Sequence, residues 1–144
     1  MLNLLKNNIV VQLDDGASMP TRQRSGDAGF DLAALHDVDV EPSKKPFKIE
    51  TGVHVAIPDG FVGLVLPRSG LTLEGITVET GVIDSNYTGA ISVALYSRWS
   101  WKIFKGNRIA QLVIVPCVCC QMVEGDLTNR HTERDSNGFG STGL

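Results

Sequence analysis

Asp84 lies in the stretch Gly81-Val82-Ile83-Asp84-Ser85-Asn86-Tyr87-Thr88-Gly89, where an apolar pair gives way to a carboxylate and then to an aromatic ring. The pattern reads as a β-hairpin that turns at Asp84-Ser85-Asn86 and continues in a second strand from Ile91 to Tyr96. Gly81 and Gly89 carry no side chain, so a flat ligand can approach the backbone and be read by main-chain N–H and C=O groups. Asp84 would then stand beside that ligand, with Tyr87 close by. The plainer alternative is a turn-forming Asp and a Tyr that covers the core.

Two more clusters have the makings of phosphate sites. Pro67-Arg68-Ser69-Gly70 ends an apolar run and offers a guanidinium, a hydroxyl and a permissive backbone. Near the C-terminus, Gly138-Phe139-Gly140-Ser141-Thr142-Gly143 lets successive N–H groups and two hydroxyls converge on an anion, and Arg134 adds a charged fork. This is not a Walker loop, which needs a Lys after the last glycine and a following helix. Phe139 suggests a stacking lid. An ordinary loop arginine and a flexible Gly-Ser tail are the plain alternatives. Asp31, among apolar neighbours in Asp27–Ala34, is either turn chemistry or part of a site, and Gln111, inside Gly106–Leu112, needs hydrogen-bond partners if buried.

The elements that must position these groups are short strands punctuated by Gly, Pro and Asp. Candidates are Ile9–Leu13, Phe30–Leu35, Phe47–Glu50, Val53–Ile57, Phe61–Leu66, Ile76–Glu79, Ile91–Tyr96, Arg108–Pro116 and Val118–Val123. No window carries a helical apolar stripe beyond one short turn near Ser69–Glu74. The class expected is therefore all-β, a sandwich or barrel. From Gly125 to Asn137 one leucine is the sole large apolar residue, which predicts a mobile arm over 125–144 attached to a core of 1–124.

At 144 residues and 42% apolar content the chain makes one domain with a real core. A formal charge of −3 gives no basic field for a nucleic acid polymer and favours a small phosphorylated ligand held by a few placed cations. No apolar run reaches the ~18 residues of a membrane span and Met1–Lys6 is too short for a signal core, so a soluble intracellular (cytoplasmic) protein with no membrane partner is expected. Cys117, Cys119 and Cys120 are an odd set with no histidine nearby in sequence, which argues against a disulfide framework or a metal site.

In chain order, Ala28-Gly29-Phe30-Asp31-Leu32, Pro67-Arg68-Ser69-Gly70-Leu71, Gly81-Val82-Ile83-Asp84 with Tyr87 and Gly89, Gly106-Asn107-Arg108-Ile109-Ala110-Gln111-Leu112, and Glu133-Arg134 with Gly138–Gly143 resemble the five motifs of the homotrimeric deoxyuridine triphosphatases (dUTPases). The resemblance implies a jelly-roll-like β-barrel of the β-clip type, a threefold trimer with sites shared between subunits, and Mg²⁺-dependent hydrolysis of dUTP to dUMP and pyrophosphate. It implies further that Asp84 orients and activates the attacking water, that Tyr87 packs on the deoxyribose, and that backbone at Gly81, Val82 and Ile83 pairs with uracil. Arg68, Ser69, Gly70 and Gln111 would face the phosphates. Phe139 would stack on the base, while Arg134, Gly140, Ser141 and Thr142 would close on the terminal phosphates from another subunit. Asp31 would support Mg²⁺ indirectly, through water, the triphosphate holding the ion itself.

Asn107 departs from the family's usual Asp or Glu, and Asp135-Ser136-Asn137 from a more glycine-rich run. Two alternatives stand beside this reading. A dCTP deaminase needs a glutamate in the strand after the hairpin, where this chain has Ala94. A nucleotide-gated regulatory module would keep the pocket and use it as a switch for a protein partner.

Overall fold

The computed structural model describes residues 8–130. In chain order its strands are β1 (Val11–Leu13), β2 (Gly29–Ala33), β3 (Val38–Val40), β4 (Phe47–Val55), β5 (Phe61–Leu66), β6 (Ile76–Val78), β7 (Gly81–Ile83), β8 (Ile91–Ser97), β9 (Trp101–Ile103) and β10 (Arg108–Pro116), with one short helix, α1 (Ser69–Leu73), between β5 and β6. No helix among the described residues is long and apolar enough to cross a membrane.

Period-two patterning drives this arrangement. Along β8 every second residue from Ile91 to Ser97 is buried, the mark of a strand with one face on a core. Two four-stranded sheets result, ordered β1-β4-β8-β6 and β2-β10-β5-β7, with β3 and β9 forming a separate pair. Every ladder is antiparallel. Leu32, Val65 and Leu112 from one sheet meet Ile49, Val93 and Leu95 from the other in a single core, joined by Val40 and Ile103 of the small pair. This is the expected all-β, jelly-roll-like architecture, but among the described residues the sheets stay open and do not close into a barrel.

Two strand assignments and one connection change. Phe47–Glu50 and Val53–Ile57 are one strand, β4, carried through a bulge between Glu50 and Val53. Buried Thr51 satisfies that irregularity: its hydroxyl donates to the Ile91 carbonyl at 2.6 Å and accepts the Val53 N–H at 3.2 Å. The expected hairpin is not one, because β7 pairs with β5 whereas β8 pairs with β4 and β6. Residues 84–90 therefore cross between sheets. Val118–Val123 forms no strand: Pro116 ends β10, and Val118 and Val123 are 86% and 84% exposed, with no ladder to join among the described residues.

Candidate active site

Asp31 is the centre of the polar site. It lies on β2 beside β10, and the β10–β5 ladder brings the end of β5, and so Arg68, alongside. One carboxylate oxygen accepts from Arg68 Nε at 2.9 Å, and the other accepts from an Arg108 Nη at 3.2 Å and from Gln23 Nε2 at 3.1 Å. Arg68 also donates to the Arg108 main-chain carbonyl at 3.2 Å. Fixed at two points, its guanidinium is pre-oriented, and little rotamer entropy remains to be lost on binding an anion.

A cleft of about 310 Å³ opens beside this cluster, lined by Gln23, Asp31, Arg68, Ser69, Gly70 and Gln111 among others. Gln111 is held because its amide donates to the Pro67 carbonyl at 2.9 Å. Its side chain covers Gly29 so closely that a Cβ at position 29 would collide with it. The expected phosphate-facing residues Arg68, Ser69, Gly70 and Gln111 are thus together on one side of the molecule. Asn107 takes a structural part: its Oδ1 accepts the Phe104 N–H at 2.9 Å, a bond that a carboxylate could make equally.

The turn after β7 is the second half of the candidate site. The Tyr87 N–H donates to the Asp84 carbonyl at 3.1 Å, closing the turn, and Asp84 is exposed. The Tyr87 hydroxyl donates to the Ala90 carbonyl at 3.0 Å, which lays the ring over Gly89 so that a side chain there would strike it. The bareness of Gly89 thus makes room for Tyr87, and that of Gly81 for Val65, whose Cβ would be 3.2 Å from an added Cβ. β7 is an edge strand with Val82 61% exposed, so one side of its backbone has no strand partner among the described residues.

Within one chain the two halves are apart. Ile83 pairs with Gly63, so Asp84 comes abreast of Val62, whereas Gln111 pairs with Leu66 at the other end of β5. From Val62 to Arg68 is about 20 Å of extended chain at ~3.3 Å per residue. Neither Asp84 nor Tyr87 lines the Arg68 cleft. Arg134, Phe139, Gly140, Ser141 and Thr142 lie outside the described residues. Sequence reasoning did not single out Arg108 or Gln23. Nothing local marks them, since they meet Asp31 across separations of 77 and 8 residues.

An antiparallel two-sheet protein that fixes an arginine beside a small polar cleft belongs to the class built to hold a compact anionic ligand. Within that class the chain belongs to the dUTPase family, whose family model matches residues 15–143. It is 47% identical over 135 residues to the deoxyuridine 5'-triphosphate nucleotidohydrolase of Cutibacterium acnes, covering 88% of this chain and 86% of that one. Its identity to the mouse enzyme of the same name is 39% over 140 residues, covering 92% and 83%. Among solved structures, the dUTPase of Staphylococcus bacteriophage 80alpha with dUPNHPP superposes with a TM-score of 0.88 at 33% identity, covering 96% of this chain and all of that one. A mutant dUTPase from phage phi11 of S. aureus, described for its coordination of a structural Mg(II) ion, gives a TM-score of 0.79 at 29% identity, covering 83% and 97%.

Proposed function

We propose that this chain is a dUTP diphosphatase acting on the intracellular deoxynucleotide pool. The observation that carries the reading is the Asp31-anchored Arg68, set beside Ser69, Gly70 and Gln111 in a member of the dUTPase family. Arg68, the Ser69 hydroxyl, the Gly70 backbone and the Gln111 amide bind the triphosphate. The free edge of Gly81, Val82 and Ile83 reads uracil through main-chain groups, and Tyr87 lies against the deoxyribose. Asp84 accepts a proton from water as its oxygen bonds to the α-phosphorus. The bond from that phosphorus to the α–β bridging oxygen breaks, and pyrophosphate leaves. Positioning and charge neutralisation do most of this work, as phosphoryl chemistry requires.

Among the described residues no group of three His, Cys, Asp or Glu could hold a metal, and both Asp31 oxygens are taken by nitrogen donors. That donor set fits Mg²⁺ carried by the triphosphate itself, with Asp31 acting at most through water. When bound with the nucleotide, Mg²⁺ neutralises phosphate oxygens.

The active assembly is a homotrimer in which Asp84 and Tyr87 of one subunit face the Arg68 cleft of another. Two features support it: the two halves sit at opposite ends of β5, and Val118, Met122, Val123 and Leu127 are 72–95% exposed, apolar surface for a second copy to cover. Residues 1–124 form the core, and 125–144 form an arm that brings Arg134, Phe139, Gly140, Ser141 and Thr142 over the nucleotide.

Pyrophosphate release measured across dUTP, dCTP, dTTP and UTP tests the activity. Turnover confined to dUTP is expected. Binding of dUTP without turnover would contradict the reading and favour a nucleotide-gated switch.

A further inference from the structure

His54, on β4, reaches out of its sheet to the nucleotide-facing turn. Its Nδ1 lies 2.9 Å from the Thr88 main-chain carbonyl oxygen and its Nε2 lies 3.1 Å from Asp14 Oδ1. Among the described residues this is the one hydrogen bond that joins residues 84–90 to another part of the chain. Thr88 directly follows Tyr87, whose N–H closes the turn on Asp84. We propose that His54 is a positioning residue for the dUTP site, a clamp on the Thr88 carbonyl that is complete when the imidazole is protonated and half-released when it is neutral.

The chemistry follows from the two partners. A carbonyl and a carboxylate are both acceptors, so both ring nitrogens must donate for both contacts to form, and only the imidazolium carries two N–H groups. A neutral ring donates to one partner and turns a lone pair on the other. The groups facing His54 are Asp14 from the turn after β1, Thr88, and the neutral Val10, Gln12, Val55 and Ala56. Among the described residues Asp14 is the one charged group facing His54, and it favours protonation. Accordingly the His54 pKa is raised above its usual 6.5, first by the bond to the Thr88 carbonyl, then by the bond to and charge of Asp14, with partial burial opposing. A raised folded pKa means the clamp is fully made below about pH 6.5 and is lost as pH rises through the folded value. With the His54 and Asp14 side chains 23% and 48% exposed, salt weakens the Asp14 contact.

Because Thr88 is tied to Tyr87 and Asp84 through the turn, release of the clamp loosens two groups that the preceding section places on the substrate, and the inference rests on that reading. The test measures dUTP kcat and KM from about pH 6 to about pH 9 in the full-length protein. It uses the wild type, His54→Gln and Asp14→Asn. Imidazole and Thr88 amide resonances of the ligand-free protein are followed over the same range. The wild type should lose about five-fold in kcat/KM on the alkaline side, mainly through KM, in step with His54 titration and the Thr88 shift. His54→Gln has no group that titrates in this range and should abolish that limb, while Asp14→Asn should move it to lower pH. An alkaline limb unchanged in His54→Gln, or a His54→Gln loss equal at every pH, would overturn the clamp. Tyr87→Ala separates the two readings. An unchanged UTP-to-dUTP ratio in that variant overturns the assignment of the turn itself, whereas an altered ratio with a His54-independent pH profile overturns the clamp alone.

Discussion

Replacing Asp31 by Asn keeps the shape of the side chain but puts an NH₂ donor where one oxygen now accepts from an arginine or from Gln23. Three hydrogen bonds converge on this carboxylate at 2.9–3.2 Å, and it is only 13% exposed. A hydrogen bond to a charged group is worth about 1.5–3 kcal/mol when partly shielded, and the 46%-exposed Arg108 contributes toward the low end, so about 2 kcal/mol of stability should be lost. For a chain of this size that corresponds to a Tm lower by about 6 °C. A second effect runs the other way, since removing the carboxylate leaves the cleft more positive and more attractive to phosphate. Water screens that gain to less than about 1 kcal/mol at arginines that are 27% and 46% exposed. Lost orientation of Arg68 should therefore win, raising KM for dUTP about ten-fold, the equivalent of ~1.4 kcal/mol, with the Mg²⁺ dependence unchanged. Thermal melts and steady-state pyrophosphate release at several Mg²⁺ concentrations measure both. An unchanged KM together with activity restored by excess Mg²⁺ would refute the reasoning and return Asp31 to a role at the metal.

Asp84→Asn should bind dUTP almost as well as the wild type yet lose about 10²–10⁴-fold in kcat, because an amide cannot take the water's proton; isothermal titration and single-turnover kinetics check the two halves. Tyr87→Ala removes the ring that lies over Gly89 and should raise UTP hydrolysis relative to dUTP, read as the ratio of the two kcat/KM values. Deleting residues 131–144, which include Arg134, Phe139 and Gly140–Thr142, should leave the assembly size unchanged by light scattering while turnover falls steeply.

β5, β8 and β10 fall where the apolar runs of the sequence put them, whereas β4 reads as two strands because its bulge interrupts the run. β3 and β9 are three residues each with a charged centre, Asp39 and Lys102, and they pair only with each other across some sixty residues, so no local pattern reports them. Adjacency misled at residues 81–96, where a turn between two apolar runs reads as a hairpin although the runs belong to different sheets. Val118–Val123 has strand composition without a strand partner among the described residues. For the candidate site, residue types and order pointed to Arg68, Asp84 and Tyr87. The contacts that hold them did not show, because Asp31–Arg68 and His54–Thr88 span 37 and 34 residues and are created only by the ladders.

The claim that each site is assembled from two chains is tested most directly by mixing two inactive variants. Arg68→Ala keeps an intact turn and Asp84→Asn keeps an intact phosphate cleft; each alone should turn over little dUTP. After co-refolding at equal amounts, a site between neighbours receives both intact halves in about a quarter of cases, so activity should return to about a quarter of the wild-type level. Mixed trimers, verified by mass, that remain as inactive as the separate variants would place Asp84 and Arg68 in the same chain's site and contradict the account.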